Sequence, residues 1–169
     1  MVTENRVQWY PSDNFGARPP GILVDTVVIH YTDVDLHETF RLLTCPEHGA
    51  SAHYVIARDG RLFQMVEEEH RAWHAGHSRL GARENVNNFS IGIELVFIPE
   101  IHDEYTAMQY ESLIHLIDEL RLRHPIRTIT GHSDVALPAG RKKDPGPCFD
   151  WSVFDVYSWQ SPRGSQAST

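Results

Sequence analysis

Apolar and polar positions change their period several times along the chain, and each change marks an element. Residues 24–32 (VDTVVIHYT) are a β-branched run with the length of one buried strand, and His30 stands where its apolar character runs out. Residues 36–45 have helix-forming composition and stop at Pro46. Residues 51–66 (SAHYVIARDGRLFQMV) read as two strands joined at Asp59-Gly60, a strong short hairpin signal. In residues 90–97 (SIGIELVF) the alternation puts Ile91, Ile93, Leu95 and Phe97 on one face and leaves Glu94 on the other with Gly92 and Val96. A long helix is predicted over 106–124. Thr106 with Gln109 three residues on makes a capping-box pattern, and Leu113, Ile114, Ile117 and Leu120 keep helical spacing until Pro125. Residues 127–136 (RTITGHSDVA) form a last short strand ending at His132, residues 136–147 a loop, and residues 149–159 a closing helix.

The remaining segments lack such periods. Pro11, Gly16, Pro19, Pro20 and Gly21 punctuate the N-terminal stretch, so residues 1–22 are expected as an extended arm wrapping the surface. Residues 71–78 (RAWHAGHS) and the polar connection through Asn88 read as a surface loop. Strands interspersed with a few helices imply an α/β fold, a single domain with a central mixed β-sheet flanked by helices. With 169 residues in all, the domain is expected over 1–159 and a flexible tail over 160–169.

Composition narrows the function classes. Apolar residues make up 41% of the chain, enough for a core, which excludes disorder over most of it. The net charge of −8, with no one-sided basic stripe, argues against nucleic acid as a partner. The longest apolar runs, residues 54–57 and 95–98, fall far short of the ~20 residues that span a bilayer, so no transmembrane segment is expected. The polar start carries no signal-peptide pattern, which as written implies the cytoplasm, or the envelope if a signal is missing or release takes another route. Nothing in the sequence asks for an obligate partner, so a monomer is expected. Cys45 and Cys148 are neither closely paired nor in a CxxC, and both are read as reduced.

Eleven histidines ask for a metal or proton-transfer reading, because imidazole is the commonest metal ligand and the usual acid/base near neutral pH. His30 and His132 close apolar segments, and Asp144 stands in the KKDPGP loop. Two imidazoles and a carboxylate would make a three-ligand zinc set with a fourth position open to water, the pattern of a catalytic site. The competing reading is structural: a histidine at a strand end commonly packs or faces solvent, and neither HExxH nor paired CxxC is present. Glu94 within an apolar strand is costly to bury unless paired, metal-bound or facing a cleft, so salt bridge and catalytic base both remain open. In an extended loop Lys142 would share a side with Asp144 and Lys143 would not, the alternative for either being a solvated charge.

Six blocks in order, VVIHYT, SAHYVIARDG, RAWHAGHS, NNFSIGIEL, TGHSDVA and RKKDPGPCFDW, resemble the zinc-dependent N-acetylmuramoyl-L-alanine amidases of the AmpD/AmiD type, whose domain is shared with peptidoglycan recognition proteins. The resemblance covers residues 15–154. It implies the amidase fold with a zinc site at one face of the sheet, and one zinc per chain held by His30, His132 and Asp144. It further implies Glu94 as catalytic acid/base and Lys142, not Lys143, as the second catalytic group. The implied reaction is hydrolysis of the amide between N-acetylmuramic acid and L-alanine in peptidoglycan or muropeptides. His53, Trp73, His74 and Asn88 are candidates for contacting substrate, with structural hydrogen bonding or packing as the alternative for each; Asn87 and Arg83 are weaker ones. The short connection over residues 33–50 resembles AmiD more than AmpD proper, and leaves open the choice between ordinary and anhydro sugar. The rival reading is a non-catalytic peptidoglycan-binding module, whose mark would be a lost zinc ligand. A zinc peptidase cutting within the stem peptide shares the metal logic.

Overall fold

The computed structural model describes residues 6–157. Six strands build the main sheet: β1 (Gln8–Trp9), β3 (Thr26–Tyr31), β4 (Tyr54–Ile56), β5 (Leu62–Gln64), β9 (Ser90–Leu95) and β10 (Thr128–Gly131). The remaining elements are β2 (Phe15–Ala17), α1 (Leu36–Thr44), β6 (His70–Ala72), β7 (Arg79–Leu80), β8 (Arg83–Glu84), α2 (Ala107–Arg123), α3 (His132–Val135) and 3₁₀ turns at Val86–Asn88 and Trp151–Phe154. The sheet order is β1-β5-β4-β9-β3-β10. The β4–β5 hairpin is antiparallel and the other pairs are parallel, which makes the sheet mixed as expected.

The two faces of this sheet bury different things. Val27, Ile29, Ile91 and Ile93 pack with Leu113, Ile117 and Leu120 of α2 in the largest apolar cluster. Each such fully buried aliphatic side chain stabilises the fold by about 1.5–3 kcal/mol. On the opposite face, Val55, Phe63 and Met65 pack with Leu43 of α1, and Val28 packs with Ala75, Phe89 and Val135. Between those two apolar islands the face is polar, because β3 and β9 pair in register with His30 opposite Glu94, and partners in a parallel pair point to the same side.

Several expectations are corrected. The arm is not wholly irregular: β1 extends the main sheet beside β5, and β2 pairs with β6. The surface loop over 71–88 contains β6, the β7–β8 hairpin and a 3₁₀ turn. Strands of two or three residues carry too little period to be read locally, and distant partners hold them. The strand before His132 ends at Gly131, and His132 opens α3. The closing helix is reduced to the 3₁₀ turn Trp151–Phe154, and its end, like the tail over 160–169, lies outside the described residues.

Candidate metal centre and active-site cavity

β3 carries His30 on the polar side of the sheet, and β10 delivers His132 to the same end from the neighbouring strand. Asp144 arrives on the loop after α3, which is pressed against the end of β10. The Ser133 amide donates to the Asp144 carbonyl at 3.0 Å, and a Cβ placed on Gly131 would lie 2.7 Å from Pro145 Cδ. Glycine at 131 is therefore what lets the carboxylate-bearing loop close on the strand. The Tyr105 hydroxyl donates to the Pro145 carbonyl at 2.8 Å and ties the same loop to the core.

Three donor atoms converge. His30 Nδ1 lies 2.9 Å from Asp144 Oδ2 and 3.1 Å from His132 Nδ1, and His132 Nδ1 lies 3.0 Å from Asp144 Oδ2. All three residues are buried. His132 Nε2 donates to the Ala75 carbonyl at 3.1 Å, so in the neutral ring Nδ1 presents a lone pair. Burial, with the neighbouring His132, pushes His30 down to about 4, so its ring is neutral at pH 7. A carboxylate and two imidazole nitrogens facing one another about 3 Å apart are short of positive charge. Their spacing suits ligand atoms around a metal with bonds of ~2.0–2.2 Å, so the donor set fits zinc.

Glu94 projects beside His30 with Oε2 buried and without a hydrogen-bond partner. Burial raises its carboxyl well above the ordinary range; the Asp144 charge adds to that, while Lys142 opposes it. Among the described residues no salt bridge to Glu94 is formed, so its charge is left to the cavity.

A cavity of about 380 Å³ opens over these groups. Its floor holds His30, His74, Glu94, His132 and Asp144, one wall comes from Thr39, Leu42 and His48, and another from Lys142 and Lys143. Trp73 also lines it. Lys143 faces the cavity as Lys142 does, contrary to the alternation argument, because this segment is a turn-rich loop and not an extended strand.

Other candidates fall away from the cavity lining. His53 is buried under β9: its Nδ1 accepts from the Gly92 amide at 3.0 Å, and its Nε2 donates to the His70 carbonyl at 3.0 Å. Asn88 Oδ1 accepts from Arg71 at 3.0 Å, and Arg83 pairs with Asp25 at 2.9 Å. Asn87 supports the site indirectly, since its Oδ1 accepts from the His74 and Ala75 amides at 3.2 and 2.8 Å. Ser90 and Gly92, which hold His74 in place, were not singled out from the sequence; their only local mark is small size within an apolar strand.

The family model for N-acetylmuramoyl-L-alanine amidases matches residues 18–147. The chain is 45% identical over 148 residues to 1,6-anhydro-N-acetylmuramyl-L-alanine amidase AmpD of Escherichia coli K12, covering 86% of this chain and 75% of that protein. A crystal structure of a Se-Met AmpD derivative superposes with a TM-score of 0.76 at 33% identity, covering 92% of this chain and 98% of the other. N-acetylmuramoyl-L-alanine amidase AmiD of the same bacterium is 32% identical over 149 residues, covering 76% of this chain and 51% of its own length. AmiD has also been solved in complex with the substrate anhydro-N-acetylmuramic acid-L-Ala-D-gamma-Glu-L-Lys, with a TM-score of 0.71 at 30% identity, covering 83% of this chain and 58% of that one. Identity to this AmpD, 45%, exceeds identity to this AmiD, 32%. With a matching family model, close relatives and a three-donor centre beside a half-buried carboxylate on the polar face of the sheet, the chain belongs to the N-acetylmuramoyl-L-alanine amidase family.

Proposed function

We propose that this protein hydrolyses the amide joining the lactyl group of N-acetylmuramic acid to L-alanine in muropeptides, with one zinc ion held by His30, His132 and Asp144. The observation that carries the reading is the convergence of three electron-rich donor atoms beside the half-buried Glu94 carboxylate, whose buried Oε2 has no hydrogen-bond partner, in a cavity. When bound, zinc would polarise the scissile carbonyl and lower the pKa of water toward 7. Glu94 accepts a proton from the attacking water as its oxygen adds to the carbonyl carbon. The same carboxyl then returns the proton to the alanine nitrogen as the C–N bond breaks. Lys142, which acts electrostatically on both Glu94 and His30, supplies an ammonium where negative charge develops on the carbonyl oxygen. Trp73 and the wall from α1 and His48 shape the cavity for sugar and peptide.

Mass spectrometry of products from a defined muropeptide, offered in ordinary and 1,6-anhydro forms, tests this. Free sugar plus a peptide beginning at L-alanine is expected, and both are to disappear on chelation and in Glu94→Ala. Binding without cleavage in every sample would favour a recognition module, and fragments cut inside the peptide would favour a peptidase.

A further inference from the structure

His30 lies in β3, which pairs with β9 along its length and with β10 as far as Ile29. The outer nitrogen of His132 is held by the Ala75 carbonyl. For His30 the partner is a side chain: His30 Nε2 and His74 Nδ1 are 3.0 Å apart, with the rings edge-on at 84°. His74 is itself tethered, since its Nε2 lies 3.0 Å from Ser90 Oγ, and the Ser90 hydroxyl donates to the Val86 carbonyl at 2.7 Å.

The proton directions in this chain are forced. A carbonyl only accepts, so the single proton of the Ser90 hydroxyl is spent on Val86, and Ser90 Oγ can only accept from His74. That puts the proton of His74 on Nε2 and leaves Nδ1 as an acceptor. His30 must then donate from its own Nε2, and its Nδ1 is left bare toward His132 and Asp144. With the opposite directions, His30 would present an N–H to the donor cluster and could not serve as a ligand. The His74 ring rests directly on Gly92, where an added Cβ would come within 2.4 Å of its Cγ, so glycine at 92 makes room for the relay.

We propose that His74, seated on Gly92 and anchored by Ser90, is a positioning residue that sets the tautomer and orientation of His30 and so tunes the metal affinity of the centre. This rests on the zinc reading above and goes beyond it by naming the residues behind the ligand.

Zinc affinity measured by competition with a chromophoric chelator, together with long-range ¹H–¹⁵N NMR of the histidine rings in the metal-free protein, tests it. In the wild type His30 is expected to carry its proton on Nε2. His74→Leu removes the acceptor and Gly92→Ala displaces the ring; each is expected to weaken zinc binding ~10–100-fold and to mix the His30 tautomers. His74→Asn, whose Oδ1 can stand near the position of Nδ1, is expected to restore most of the affinity, which a purely space-filling role would not predict. If His74→Leu fails to fold, Ser90→Ala and Gly92→Ala decide the matter by the same two readouts. Zinc affinity within twofold of wild type in the folded variants, or a wild-type His30 protonated on Nδ1, would overturn the proposal. A His132→Ala protein that binds zinc as tightly as the wild type would instead overturn the zinc site itself.

Discussion

Glu94 shows how a single residue acquires chemistry from its neighbours. Its carboxyl is raised by burial and by the Asp144 charge, and Lys142 is the group that opposes the shift. In its proposed role as general base Glu94 must be ionised, so activity should be lost as pH falls through its pKa in the folded protein, and the acid limb of kcat/KM should lie above the ordinary carboxylate range. Removing Lys142 removes the opposing charge. Lys142→Ala should therefore move that limb to higher pH and lower kcat by about 10²–10³, the scale of a lost oxyanion-stabilising group, while zinc content is retained. A pH profile of kcat/KM with metal analysis checks both halves, and a limb that moves down or stays fixed would remove Lys142 from the neighbourhood of the base. At this scale the sequence was informative about residue type. His30 and His132 stand out at the ends of apolar segments, Glu94 within an apolar run and Asp144 in the loop that follows, whereas His53, a weaker candidate in sequence, is an interior hydrogen-bonding group.

Among the elements, α2 was legible because its signals are local. Thr106 Oγ1 accepts from the Gln109 amide at 3.0 Å, and Gln109 Oε1 accepts from the Thr106 amide at 3.1 Å, so the capping box read from two letters is present. The cap also serves the sheet: the Thr106 hydroxyl donates to the Arg58 carbonyl at 2.7 Å, and Gln109 Nε2 donates to the Val96 carbonyl at 2.9 Å. Thr106→Ala should cost about 1–2 kcal/mol, toward the upper end for a cap because a tertiary hydrogen bond goes with it. Urea denaturation should show a lower midpoint with an unchanged slope. The β2–β6 and β7–β8 pairs were not legible, since two or three residues cannot display a period and their pairing is decided by what lies across from them.

For the molecule as a whole, one half-buried carboxylate joins parts that are far apart in the chain. Glu68 accepts from the Tyr54 hydroxyl of β4 at 2.5 Å, from Arg123 at the end of α2 at 2.8 Å, and pairs with His124 Nε2 at 2.6 Å. Burial works to raise its carboxyl, but hydrogen bonds from His124, Arg123 and Tyr54 prevail and bring it from the usual 4.5 down to about 2. The folded state therefore binds this proton less readily than the unfolded chain. The stabilisation is present in full above about 4.5 and is lost as pH falls from there toward about 2. Glu68→Gln should lower the melting temperature at pH 7 and flatten its decline across that acid window, as differential scanning calorimetry at a series of pH values would reveal. An equally steep decline in the variant would place acid sensitivity elsewhere.

By itself the sequence determined the strand- and helix-forming segments with strong local period, the polar residues stranded at their ends, and, through six ordered blocks, the family. Periodicity, capping and turn chemistry act over a few residues, so they are written where they are used. Only the tertiary structure decided that His30 stands level with Glu94, because parallel register depends on a partner strand far along the chain. It also decided that the Asp144 loop closes on Gly131 and that His74 reaches His30 from above Gly92. Those contacts depend on which elements lie across from one another and where space is left, and both are properties of the assembled fold.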